Sequence, residues 1–297
     1  MPLFSSPTSP GRGLARFGAA VPEFVEFLVI AGGGGAGAQR NTHTYTRYKP
    51  WREEFANTSP PYCQPHYVQY QGAGGGGGGY ISSVTGEYSG RLTSPVSTLV
   101  PTSGTNYYIS IGAGGAGQGG TGNGGKGGNT SFAGITATGG GYGGYTCCGG
   151  GSNGGSGGSG GGGGPAGNSG DSQCNSSCGG SSACGSSAGG AGTSAQGFPG
   201  TNYGAGGAGG AGAYGVGGAG ITSTITGSSV TYSNGQGGSD YGDGAPVSYG
   251  SAGRPGAVII RFQGLEPDID PGLGYSISTV GANTVIVFSS GTGNISW

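Results

Sequence analysis

The sequence predicts an all-β, partly irregular chain with essentially no α-helix, in which glycine forms a folded interior framed by strands. Three observations lead there. Of 297 residues 82 are glycine, yet only 7% are charged and the net charge is -1. From Leu92 to Ser239 the charged side chains are Lys126 and Asp171 alone. Disordered low-complexity chains generally carry high net charge, so so uncharged a tract is expected to be ordered. Finally, the apolar runs "VEFLVI" at the front and "PGAVIIRF" near the end bracket the glycine, and no segment shows helical periodicity.

The strands follow in order. Residues 24–31 read as a buried strand. Segments 80–90, 96–115, 130–141 and 220–235 alternate apolar and polar residues and are rich in Thr, Val, Ile and Tyr, as half-buried strands are. Residues 257–262 close the frame. After the acidic, proline-bearing link "LEPDIDPG" comes a second apolar stretch ending in "TVIVFSSGTGNISW". The chain divides into an arm at 1–22, a glycine-rich domain at 23–263, and a linker with a strand pair at 264–297. Two segments interrupt the glycine: an aromatic insert at 39–71 and a cysteine-bearing loop at 142–199.

Hydrogen-bond accounting suggests what the glycine does. Every buried N–H and C=O needs a partner, and ordering glycine is entropically expensive. Dense bonding between packed segments can offset that cost. A left-handed three-fold helix with about 3.1 Å rise points its backbone groups outward, so several side by side can bond to one another where no Cβ intervenes. Gly-Gly-Ala and Gly-Gly-Gly triplets suit this. Collagen needs strict glycine every third residue with abundant proline, which this chain lacks. A silk-like sheet remains open from sequence.

Five blocks, "FLVIAGGGGAG", "GGGGGGYISSVTGEYSG", "YYISIGAGGAGQGGTGNGGKGGNTSFAGITATGGGYGG", "GGAGITSTITGSSVTYSNG" and "GAVIIRF", resemble the glycine-rich domain of bacteriophage tail-fibre and tail-tip proteins over residues 24–262. The resemblance implies a β-sandwich frame holding a polyglycine-II bundle, in a non-enzymatic virion fibre or adhesin whose loops recognise the host surface. Similar glycine-rich bundles occur in the extracellular domain of anaplastic lymphoma kinase-type receptors. The implied location is the virion. The implied partners are other virion proteins and a host cell-surface glycan or protein. A homotrimer is expected, with a single-copy cap on a trimeric fibre as the alternative. A purely structural fibre or decoration protein is the alternative function, and a cellular glycine-rich filament a third. The sequence departs from the family pattern in the 39–71 insert, and in carrying at its C-terminus strands that resemble those preceding the glycine in relatives. These could join their own sheet, complete a neighbour's, or begin a second unit.

The near-neutral balance opposes nucleic-acid binding, and no run reaches the roughly 18 apolar residues of a membrane span. The first residues lack the apolar core of a signal peptide. Repeated G-x-G-x-x-G matches reflect composition, and "GTGNGGKG" lacks the Ser/Thr and the helix of a phosphate loop. No nucleophile, acid–base or metal constellation emerges, so neither catalysis nor a cofactor is expected. Cys63, Cys147, Cys148, Cys174, Cys178 and Cys184 allow 15 disulfide pairings, which suits an oxidising location. The receptor-contact candidates are Tyr45, Arg47, Tyr48, Trp51, Arg52, Phe55, Tyr62, His66, Tyr67 and Tyr70 in the insert, with Tyr142, Tyr145 and Phe198 at the cysteine loop. Rigid aromatics with Arg are typical of binding surfaces. A local core or a subunit contact is the competing role.

Overall fold

The computed structural model describes residues 20–38, 72–120, 122–147, 150–164, 187–248 and 250–297, and the backbone of two short strands at 44–46 and 65–67. The structure is all-β, with no α-helix among these residues. The strands are β1 (Val25–Ile30), β2 (Thr44–Thr46), β3 (Pro65–Tyr67), β4 (Tyr80–Ser82), β5 (Asn106–Ser110), β6 (Thr130–Phe132), β7 (Ile135–Ala137), β8 (Thr146–Cys147), β9 (Gly150–Gly151), β10 (Ile221–Ser223), β11 (Val230–Tyr232), β12 (Ala257–Phe262), β13 (Asp268–Ile269), β14 (Leu273–Val280) and β15 (Asn283–Ser296).

The frame is one sheet in the order β4-β1-β12-β15-β5-β6-β7, with β13 and β14 also on β15. Strand β15 bends where Gly291 takes a φ of 89°. Before the bend it pairs with β12 and β14, and after it with β5 and β13. The C-terminal strands therefore join the sheet of their own chain. The sheet curls until Phe27 of β1 meets Phe132 of β6 edge-on, with ring centroids 5.5 Å apart, so the layers of the frame are parts of a nearly closed barrel. Inside lie Phe27, Val29, Ile109, Ile260, Phe262, Ile286, Phe288 and Trp297. On the opposite face of β1 and β12, Leu28, Ile30 and Ile259 pack with Tyr80 and with Ile221 and Tyr232 of the β10–β11 hairpin. Both central strands are thus buried on two faces, which explains their near-continuous apolar sequence. The Arg261–Glu26 pair, directly opposite in register, lies at the margin of the second core with Nη2 and Oε2 2.6 Å apart.

The frame strands continue into the glycine. Residue Ile30 leads into 31–38, residues 72–79 enter β4, β5 runs into 111–118, and β7 into 138–145. Along 31–38 the bonding rotates with a period of three. The N–H groups of Gly32, Gly35 and Ala38 donate to Gly128, Gly125 and Gly122. Those of Gly33 and Ala36 donate to Arg254 and Ser251, and those of Gly34 and Gly37 to Gly76 and Ala73. The carbonyls repeat the pattern: Gly32 and Gly35 accept from Gly140 and Gly143, Gly33 and Ala36 from Gly115 and Gln118, and Gly34 from Ala245. Three donor and three acceptor directions give the segment six neighbours. A strand ladder alternates with period two, so this is three-fold polyglycine II and the silk-like alternative falls.

None of the glycines in 32–37 or 72–79 has positive φ; they are glycine because neighbours are too close for anything larger. A Cβ on Gly34 would overlap the carbonyl oxygen of Gly141, and one on Gly35 that of Ala116. The α-hydrogen takes that direction instead and points at the oxygen, as in the Cα–H···O contacts of packed backbones. At the rim one side faces solvent: Ala113 and Ala116 are exposed whereas Gly112 and Gly115 are buried. Ala36, Ala38 and Ala73 are accommodated inside the bundle, where they are buried. Polar side chains supply acceptors where neighbouring segments end. Asn129 Oδ1 accepts from Gly139 N–H, Gln196 Oε1 from Thr138 N–H, and Asn234 Oδ1 from Gly220 N–H. A net hydrogen bond of about 1 kcal/mol only matches a backbone ordering cost of about 1–2 kcal/mol per residue. The bundle therefore depends on the apolar frame that clamps its segments at one end.

Candidate functional site

Because the segments leave the frame from one end of the sheet, their turns collect at the far end of the bundle. The aromatic insert departs after Ala38 and returns at Gly72. At that level Gly37 N–H donates to Ala73 C=O, and Ala73 N–H to Gly144 C=O. Beside it Ala38 N–H reaches Gly122 C=O, and Ala36 N–H reaches Ser251 C=O. The cysteine-bearing loop opens there as well: Tyr145 N–H donates to Ser152 Oγ and Asn123 Oδ1, and a Cβ on Gly151 would overlap Gly164 and Ser187. Both interruptions, read as separate in the sequence, thus emerge from one surface.

Within the insert, β2 and β3 pair antiparallel, with Tyr45 opposite His66 and Thr44 opposite Tyr67. The side chains of Tyr45, Arg47, Tyr48, Trp51, Arg52, Phe55, Tyr62, His66, Tyr67 and Tyr70 lie outside the described residues. So do those of all six cysteines, although Cys147 lends its backbone to the β8–β9 pairing.

The remaining candidates separate. Tyr145 sits half-buried at the loop end. Tyr142, one turn of helix nearer the frame, lays its ring over Gly155, where a Cβ would meet it. Phe198 does not join them. It lies toward the frame, exchanging backbone bonds with Gly160 and Gly207, and its ring carries the Arg91 guanidinium at 4.9 Å. That is a cation–π contact tying the bundle to the turn after β4.

The loop end also holds an aromatic pair missing from the candidates above. Tyr203 and Tyr214 stack at a tilt, with centroids 5.1 Å apart, and Tyr214 is 75% exposed beside exposed Val216. Tyr203 adopts a φ of 62°, a conformation costly for any residue with a Cβ. It is pinned there: its N–H donates to Gly163 C=O at 2.8 Å, and its C=O accepts from Gln236 Nε2 at 2.8 Å. Tyr214 rides on a turn closed by reciprocal Ala213–Val216 bonds. Burial, with Tyr214 alongside, pushes the Tyr203 phenol up. The available signal was slight: a single tyrosine inside "NYGAGG" and another inside "GAYGVGG".

Among the described residues no group of three or more His, Cys, Asp or Glu is arranged to hold a metal ion, and no helix is long and apolar enough to cross a membrane. The arrangement offers aromatic and hydroxyl-bearing surface on a fixed backbone. The family described as "Glycine-rich domain" matches residues 52–263. No curated protein and no solved structure matches the chain.

Proposed function

From the premise that this chain belongs to the glycine-rich domain family, over residues 52–263, we propose that it is a non-enzymatic phage virion protein of the tail fibre or tail tip. It displays loops for recognition of a host-surface glycan or protein. The observation that carries this reading is the shared exit of the 39–71 insert and the cysteine-bearing loop at the end of the bundle farthest from the frame. The frame then faces other virion proteins, residues 1–22 serve as the attachment arm, and the oxidising medium outside a cell suits the cysteines. Deleting residues 41–69 while following host adsorption and particle assembly together tests it. Intact particles that adsorb poorly are expected. Intact particles that adsorb normally would overturn the role of the insert, and failed assembly would favour a purely structural fibre component.

A further inference from the structure

Two margins of the frame are covered by the chain itself. On β4, Tyr80 N–H donates to Gln196 C=O, Ser82 N–H to Ser89 Oγ, and Ser82 C=O accepts from Val96 N–H. On β7, Thr136 C=O accepts from Gln196 Nε2. The margin at β14 is different. It bonds to β15 on one side, through a hairpin closed at Val280 and Asn283 over Gly281 and Ala282. The closing pair of a two-residue hairpin is hydrogen-bonded, and bonded positions then alternate. Val280, Ser278 and Ser276 therefore turn their backbone groups to β15, while Thr279, Ile277 and Tyr275 turn theirs outward. Among the described residues these three have no backbone bond outside the hairpin.

Exposed edges are ordinarily protected by charge, proline or a covering segment. Residues 273–280, "LGYSISTV", contain neither charge nor proline, and 275–279 are exposed. Tyr275 and Ile277 share a face and are 46% and 44% exposed, and Tyr275 packs on Phe288 of the inner core at 5.9 Å. A strand laid along this edge would extend an apolar surface continuous with the core.

We infer that this edge pairs with β14 of a second copy, antiparallel about a two-fold axis through Ile277. In that register Ile277 faces Ile277, Tyr275 faces Thr279, and Ser276 faces Ser278. The outward-facing positions of one strand meet those of the other, so Ile277 exchanges both its bonds with its counterpart and Tyr275 with Thr279. Apolar and hydroxyl-bearing cross-strand pairs of this kind are favourable, and a strand without charge meets no like charge in its own copy. A charged peptide would find no complement here. The contact is self-complementary, as a two-fold interface requires. A contact along a single strand edge is small beside the roughly 1,200 Å² of a standard interface, so the association is expected to be weak.

Sedimentation equilibrium of the full chain over about 5–500 µM tests this. The wild type is expected to rise from monomer toward dimer mass. Ile277→Lys places a charge opposite itself, and Thr279→Pro removes an outward N–H without touching the β15 ladder. With circular dichroism unchanged, each is expected to weaken association at least about tenfold. A wild type monomeric throughout, an assembly of three copies, or wild-type association by either folded variant would overturn the inference.

Discussion

The carbonyl oxygen of Gly34 occupies the direction in which a Cβ on Gly75 would project. Neither residue can retreat, because Gly34 donates to Gly76 and Gly75 to Ala245. Gly75→Ala is therefore expected to cost about 3 kcal/mol or more through overpacking. Gly120, at the rim, has open space where a Cβ would go, and Gly120→Ala is expected to change stability by less than about 0.5 kcal/mol. Denaturant midpoints of the two variants, measured side by side, check the contrast.

The Arg261 guanidinium meets Glu26 through both Nε and Nη2, and Glu26 Oε1 also accepts from Thr85 N–H. Both side chains are mostly buried. Arg261→Ala would leave a carboxylate beside an apolar core and is expected to cost about 2–3 kcal/mol. Glu26→Gln with Arg261→Met, which removes both charges, should recover much of that loss. A double-mutant cycle by thermal or chemical unfolding checks it.

Burial chiefly, with Glu87 nearby, pushes the Tyr80 phenol well up, and burial pushes Tyr232 from 10.0 to about 12. A pKa raised in the folded state gives stability that is full below the unfolded value and is lost as pH rises through the folded one. Stability is therefore expected to fall between about pH 10 and 12, with tyrosinate absorbance appearing alongside unfolding. Tyr232→Phe should blunt the fall.

Asp243 is buried, and burial raises its carboxyl although it accepts from Asn234 and Asp240. Its contribution has the same sign: greatest below the ordinary carboxylate range and declining as pH rises through the raised value. Asp243→Asn is expected to flatten that slope in unfolding measured from pH 3 to pH 7. At neutral pH it loses one acceptor, at a cost of about 1–3 kcal/mol.

Tyr214 is largely exposed, so Tyr214→Ala should leave unfolding within about 0.5 kcal/mol of wild type. If the loop end meets the host, the same change should weaken adsorption severalfold, as loss of an aromatic anchor does. Competition of purified variant against labelled particles on host cells measures this directly.

What was legible in the sequence follows from these geometries. The doubly buried β1 and β12 announce themselves as apolar runs, and the need to pair every glycine N–H pointed to three-fold helices. Segment 130–141 read as one strand, but Ala133 and Gly134, with φ of 49° and 82°, turn it into the β6–β7 hairpin. Alanine gives no warning of a left-handed conformation, so that turn was hidden. Segment 96–115 contains only β5, because Leu99 reaches the frame by an isolated bridge to Val25. At the site, the common exit of two loops distant in sequence depends on which segments neighbour one another, and local pattern carries no trace of that. Tyr203 and Tyr214 were obscure for a related reason: one aromatic among glycines looks incidental until its neighbour across the turn is known.

The rotation of hydrogen bonds along 31–38 has a mechanical consequence. A sheet is cross-linked in one transverse direction and peels or shears along the others. Here the 31–38 column is tied to neighbours all around its axis, so a sideways load passed to it from a loop at the tip is shared by bonds on every side before any one row can unzip.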